Sequence, residues 1–123
     1  MISPRNNNEI KARTMVEFGK TLRLMADKNL PSDEVKQPNG KPDLNIYELA
    51  ASYSIKPFYL YADQATIVPE GLYNAIDIYS NKLSTLTNNP KSTPKDEARK
   101  LFDTLSEKFP TSPWTGKAQA ILH

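Results

Sequence analysis

The sequence contains no cysteine and only one histidine, His123, its last residue. The lack of cysteine excludes disulfides, thiolate metal ligands and thiol chemistry. A single histidine without oriented neighbours makes a catalytic triad or a histidine metal site a poor prospect. Glycine occurs only at positions 19, 40, 71 and 116, which leaves no glycine-rich loop to hold a phosphate. We therefore expect no cofactor and no metal, and we predict that the protein is not an enzyme.

Long apolar runs are also missing, since none reaches the roughly 18 residues that a membrane-spanning helix requires. The first residues lack the pattern of a secretory signal. The net charge is only +2, and no basic run concentrates it, so we expect no nucleic-acid partner. The sequence predicts a soluble protein of the cytoplasm or, if a signal segment has been removed, of the bacterial envelope.

What the chain does contain fits one helical domain over residues 1–123. It is 38% hydrophobic and 24% charged, a composition that can build a modest core. Residues 30–43 carry three prolines and the Asn39-Gly40 turn signal, which predicts a loop that separates the first helix from the rest.

The first helix is predicted from about Asn8 to Asn29. Gly19 either weakens its middle or permits a close crossing with another helix. The residues predicted to face the core are Met15, Phe18, Leu22 and Met25.

Two short helices are predicted next. Asn45 and Glu48 resemble a capping box, which begins the first of them. Pro57 begins the second, which runs to Ala65, although the aromatic residues after Pro57 also suit an edge strand.

A longer helix is predicted over residues 69–88. Its apolar residues alternate in four- and three-residue steps, and we expect them to pack antiparallel against a helix over 94–109. These seam residues are Leu72, Ile76, Tyr79, Leu83 and Leu86.

Two helix-start signals lie in the last thirty residues. Thr93-Pro94 and Ser112-Pro113 each combine a capping side chain with a proline suited to the first turn. Pro110 ends the intervening helix. Its apolar stripe comprises Ala98, Leu101, Phe102, Leu105 and Phe109.

This region resembles the junction between successive tetratricopeptide repeats of the envelope-associated kind. The resemblance implies a helical hairpin over about residues 69–122 and a non-catalytic role in holding another protein. The residues that carry it are Ala98, Leu101-Phe102, Leu105, Phe109-Pro110, Ser112, Trp114 and Lys117-Ala118.

Three polar residues of the 69–88 helix form the first candidate site. If this is the inner helix of a repeat, Asn74, Asp77 and Asn81 line a concave surface and bind a partner's backbone. We expect replacement of all three with Ala to leave folding intact and to weaken binding.

A tyrosine-rich face is the second candidate, because tyrosine offers both an apolar ring and a hydroxyl. We favour a core role for these aromatic residues, ahead of a protein-binding groove or a small-ligand site at Tyr59, Tyr61 and Tyr73. The aromatic set is Tyr47, Tyr53, Phe58, Tyr59, Tyr61, Tyr73 and Tyr79.

Among the carboxylates, Asp63, Glu70 and Asp77 are the ones to inspect for catalysis.

The sequence thus predicts an all-α domain of about five helices, built from antiparallel hairpins and ending in a tetratricopeptide-like unit. The predicted function is a protein-interaction or scaffold module. One alternative is a permanent structural subunit of a larger complex, and a weaker one is small-ligand binding through the tyrosine-rich face.

Overall fold

A computed structural model of the chain describes residues 4–28, 44–83 and 94–122, and these ranges form five helices and no strand. The prediction of an all-α fold is therefore confirmed for this part of the chain. α3 continues without a break into a π-helical segment, Ile78–Leu83. None of the five helices is both long and apolar enough to cross a membrane. The helices are α1 Pro4–Asp27, α2 Leu44–Leu60, α3 Val68–Asp77, α4 Pro94–Lys108 and α5 Pro113–Leu122.

The short helix α3 lies at the centre of the fold. Nine of its ten residues are buried, all but Tyr73, and it packs against α1, α2, α4 and α5. Its apolar residues Leu72 and Ile76 share one core cluster with Ala98, Leu105 and Ala118 of the last two helices. α3 therefore links the α1–α2 pair to the α4–α5 pair.

The packing of α3 against α4 is antiparallel, as predicted. Ser80 and Asn81 lie with Lys95 and Arg99 around one cavity of about 300 Å³. At the opposite end, Thr66 lies with residues 108–114 around a second cavity of about 420 Å³. α3 begins at Val68, one residue before the predicted start at 69. Residues 84–88 of the predicted helix lie outside the described ranges.

The predicted core-facing stripe of α1 is confirmed at Leu22, which is buried, but it is wrong at Phe18, because the buried side of this helix is rotated towards smaller residues. Phe18 is 43% exposed, and Met15 and Met25 are only half-buried. A methyl group on Gly19 would lie 2.8 Å from the Ala50 carbonyl oxygen, so α1 and α2 cross too closely for large side chains between them. The buried residues of α1 are Ala12, Val16, Gly19, Leu22 and Ala26.

The predicted helix from Pro57 to Ala65 is helical only as far as Leu60, and it is not a separate helix. Pro57 lies inside the last turn of α2 and is buried there. A proline so close to a helix end removes only the bond to the carbonyl four residues earlier, and Tyr61 N–H still donates to the Pro57 carbonyl at 2.8 Å. Residues 61–67 form turns, with Ile67 N–H donating to the Gln64 carbonyl at 3.0 Å.

The α4–α5 turn follows its local signals. α4 ends at Lys108, before Pro110, and α5 begins at Pro113. Ser112 Oγ accepts a hydrogen bond from Trp114 N–H at 3.2 Å, which is the predicted cap. The predicted cap at Thr93, the seam residue Leu86 and the loop signals of residues 30–43 lie outside the described residues.

Candidate functional site

A stripe of polar side chains runs along the otherwise apolar helix α3. Glu70, Asn74 and Asp77 follow one another at four- and three-residue steps, so they share one face of the helix. All three are buried. Because buried charges need partners, the neighbours of this stripe determine what it can do.

Glu70 is held by two cations of α1. Arg13 Nη1 donates to Glu70 Oε1 at 2.8 Å, and Lys20 Nζ contacts Glu70 Oε2. The carboxylate also lies in the first turn of α3, where the helix dipole favours an anion. Burial opposes ionisation, but the hydrogen bonds from Arg13 and Lys20 outweigh it and lower the pKa of Glu70. Glu70 is therefore an anion at neutral pH.

Asp77 is paired in the same way one step further along. Arg23 Nη1 of α1 and Asn81 Nδ2 of the π-helical segment both contact its carboxylate. Since Glu70 meets Arg13 and Lys20, and Asp77 meets Arg23, α1 and α3 run in the same direction along this contact. The ion pairs join the two helices at both ends of the stripe.

A third carboxylate, Asp27, extends this network to α2. Tyr47 OH donates to Asp27 Oδ1 at 2.6 Å, and Lys82 Nζ lies 3.1 Å from the same oxygen. Burial raises the pKa of Asp27, but the bonds from Tyr47 and Lys82 lower it by more. Burial and the neighbouring Asp27 raise the pKa of the Tyr47 hydroxyl well above its usual range, so that hydroxyl stays a hydrogen-bond donor.

Acid should weaken the fold through Glu70. Its folded-state pKa is lowered, so its contribution is present above the unfolded pKa and is lost as pH falls through the folded pKa. We expect the free energy of unfolding to decline below about pH 4, and the Glu70→Gln variant to show a shallower decline. Urea unfolding at a series of pH values measures this. Glu107→Gln, at an exposed site on α4, is the control, and an equal effect of both variants would contradict the assignment.

Beside the stripe, α1 and α3 enclose a cleft of about 320 Å³, here called the α1–α3 groove. Asn74 lies in its wall and is only 9% exposed. Its amide Nδ2 is buried and has no hydrogen-bond partner among the described residues. The groove is lined by Gly19, Lys20, Arg23, Leu24, Asp27, Asn74 and Ile78.

Because the Asn74 amide has no partner among the described residues, replacing it should change the stability of the fold. Leaving a buried donor unsatisfied costs about 1–3 kcal/mol, so Asn74→Leu is expected to raise the free energy of unfolding by about 1 kcal/mol. Urea unfolding of the two proteins tests this. A loss of stability would mean that the Asn74 amide is satisfied in the free protein.

The structure brings the three predicted polar residues together, but it does not place them on an open concave surface. Asn74 and Asp77 are buried beside α1, whereas Asn81 is exposed and contacts the Asp77 carboxylate. Because Asp77 is buried against Arg23, we now expect replacement of all three with Ala to lower the stability of the fold as well as any binding. Only Asn74 remains without a partner among the described residues.

The sequence reasoning missed the cations of α1. Arg13, Lys20 and Arg23 are spaced by seven and three residues, which places them on one face of a helix. The carboxylates Glu70 and Asp77 also share one face of their helix, and two oppositely charged helix faces are the signal from which this pairing could have been found.

The three candidate tyrosines contact different neighbours, and none lines the α1–α3 groove. Tyr59 is 73% exposed and meets Phe58 edge-on. Tyr61 packs against the cluster of Ala12, Val16 and Ile67. Tyr73 lies against Trp114, with ring centroids 5.1 Å apart.

The other tyrosines of the predicted aromatic set support a core role. Tyr47 is buried, and Tyr53 and Tyr79 are half-buried against the same cluster. Of the three carboxylates singled out for catalysis, Asp63 is exposed, whereas Glu70 and Asp77 are in ion pairs.

The arrangement favours binding over proton transfer. A carboxylate with a lowered pKa and two bound cations is a weak base at neutral pH. Within residues 4–28, 44–83 and 94–122, no group of three or more histidines or carboxylates is placed to hold a metal ion. Comparison of the chain with protein-family models, with curated proteins and with solved structures finds no match.

Proposed function

We propose that this protein is a non-catalytic protein-interaction module and that the α1–α3 groove is its contact surface. The observation that supports this most is the Asn74 amide, buried in the groove wall without a partner among the described residues. Buried polar groups are nearly always hydrogen-bonded, and an exception next to a groove points to a partner that completes the bond.

The wall of the groove is also held in place before a partner binds. Asn74 lies between Glu70 and Asp77 along α3, and both carboxylates are tied to α1. A side chain on a packed helix, flanked by ion pairs, loses little conformational freedom when a partner binds. Preorganisation of this kind favours recognition by a fixed surface.

Affinity capture of the full-length protein from its source cells, followed by quantitative mass spectrometry, tests the proposal. We expect a defined set of companion proteins whose recovery falls in the Asn74→Leu variant. Gln119→Leu makes the same amide-to-leucine change at an exposed site on α5 and is expected to retain them. Recovery of the protein without companions would count against an interaction module.

A permanent structural subunit is the second proposal, and the distribution of exposed apolar residues favours it. Within the described ranges, all the large hydrophobic residues that are exposed lie on α1 and α2. An apolar surface on this pair of helices would mark a face that another chain covers. A stoichiometric companion set that survives high salt would favour this role over an exchangeable adaptor. These residues are Ile10, Phe18, Leu24, Leu49, Tyr59 and Leu60.

The proposal retains the resemblance of residues 69–122 to a tetratricopeptide unit. The antiparallel packing of α3 and α4 and the Ser112 cap of α5 support it. Helical hairpins of this kind serve as protein-binding scaffolds when they are stacked. Deletion of α4 and α5 should abolish folding if α3 depends on them for its core, which circular dichroism would show.

A further inference from the structure

The charged residues that line the α1–α3 groove already have partners. Lys20 is paired with Glu70, Arg23 with Asp77, and Asp27 with Lys82. A charged ligand would have to compete with these pairs, and leaving one buried charge unpaired is costly. The charges of the groove therefore favour an occupant that is itself uncharged.

The remaining lining is largely apolar. Gly19 and Ile78 are buried in the groove wall, and Leu24 stands at its rim with 56% of its surface exposed. The volume of about 320 Å³ lies at the lower end of the range for ligand sites. It suits one apolar side chain rather than an extended ligand.

The groove has one buried side-chain donor without a partner among the described residues, Asn74 Nδ2, so the occupant must carry an acceptor next to its apolar part. A peptide carbonyl is the uncharged acceptor that always accompanies a side chain. Apolar residues next to paired charges, as Leu24 is next to Lys20 and Arg23, are also common where an apolar interface meets its polar rim.

We infer that the α1–α3 groove binds an uncharged stretch of a partner protein, with one apolar side chain inserted beside Leu24 and Ile78 and the adjacent peptide carbonyl bonded to the Asn74 amide. This inference rests on the proposed function and adds the chemistry of the bound segment.

A minimal probe tests this chemistry without knowledge of the partner. N-acetyl-leucine methylamide carries one apolar side chain and peptide carbonyls, and it has no charge. In an NMR titration of the full ¹⁵N-labelled chain, we expect it to shift the Asn74 side-chain amide and the backbone amides of Gly19 and Ile78. N-acetyl-lysine methylamide and sodium acetate should bind at least about tenfold more weakly, since each adds a charge.

Two pairs of variants locate the contact. Asn74→Leu should weaken binding of the leucine probe by about three- to tenfold, the value of one neutral hydrogen bond, whereas Gln119→Leu should not change it. Leu24→Ala should weaken binding by a similar factor because the inserted side chain loses apolar contact. Ile10→Ala is its control on the same helix, and it lies outside the groove lining.

The inference is overturned if acetate binds at least as tightly as the leucine probe, if the probe shifts none of these amides, or if Asn74→Leu binds it unchanged. It is also overturned if a small molecule released from the native protein is found to occupy the groove. If the probe experiments fail but affinity capture still recovers companion proteins, the proposed function stands and only this inference is wrong. If affinity capture recovers no companions, the proposed function itself is wrong.

Discussion

The Gly71→Ala variant is expected to lose about 3 kcal/mol or more of its free energy of unfolding. A methyl group at this position would run into the Ser54 carbonyl oxygen and would also lie 3.2 Å from Val16 Cγ2. The obstacle at Ser54 is backbone and cannot rotate away, so α2 and α3 would have to separate. Urea unfolding monitored by circular dichroism measures the loss.

Two other glycines provide a graded comparison. Gly116→Ala on α5 meets nothing within 4 Å, and it should be neutral or stabilising by up to about 1 kcal/mol, because Ala is the better helix former. Gly19→Ala meets the side chain of Ser54 as well as the Ala50 carbonyl, and we expect an intermediate loss. An equal unfolding midpoint for Gly71→Ala and Gly116→Ala would contradict the close contact of α2 and α3 at Gly71.

The parts of the fold that could be predicted from the sequence are those that local residues determine. The starts of α4 and α5 and the turn at Pro110 follow from residues within one helical turn of each boundary. Such local rules act whatever the helix packs against. Accordingly, α4 begins at Pro94 and Ser112 caps α5, as these rules predict.

The buried face of α1 could not be predicted in the same way. Periodicity favoured the large residues Met15 and Phe18, but the contact with α2 is made where Gly19 meets Ser54. At so close a crossing, small side chains are buried and large ones are displaced to the edge, where Phe18 packs against Tyr53 with ring centroids 4.6 Å apart. Which helix crosses at Gly19 is tertiary information.

The candidate site divides along the same line. The shared face of Asn74, Asp77 and Asn81 follows from helical spacing alone. The packing of α1 against α3 decides the rest, because it pairs Asp77 with Arg23 but gives the Asn74 amide no partner among the described residues. Spacing predicts a polar stripe, and only packing separates its structural members from Asn74, the residue that we propose for binding.

The Asp77→Leu variant is expected to lose about 2–4 kcal/mol of unfolding free energy, because Arg23 would lose its buried partner. We place this below the usual cost of breaking a buried pair, since the Arg23 side chain is still 27% exposed and can recover some hydration. Asp103→Leu, at an exposed site on α4, should change stability by less than about 0.5 kcal/mol. Chemical denaturation of both variants provides the comparison.

The double variant Arg23→Leu/Asp77→Leu separates charge from packing. Replacing a buried ion pair with apolar residues is often neutral, so the double variant should be more stable than Asp77→Leu alone, with a coupling energy of about 1–3 kcal/mol. A double variant that loses the sum of the two single losses would show that Arg23 and Asp77 act independently.

If the coupling is found, Asp77 stabilises the fold through its pair with Arg23. Any loss of partner binding in an Asp77 variant must then first be corrected for the fraction of unfolded protein. Asn74 has no hydrogen-bond partner among the described residues, and it is then the position at which we expect binding to be altered without that correction.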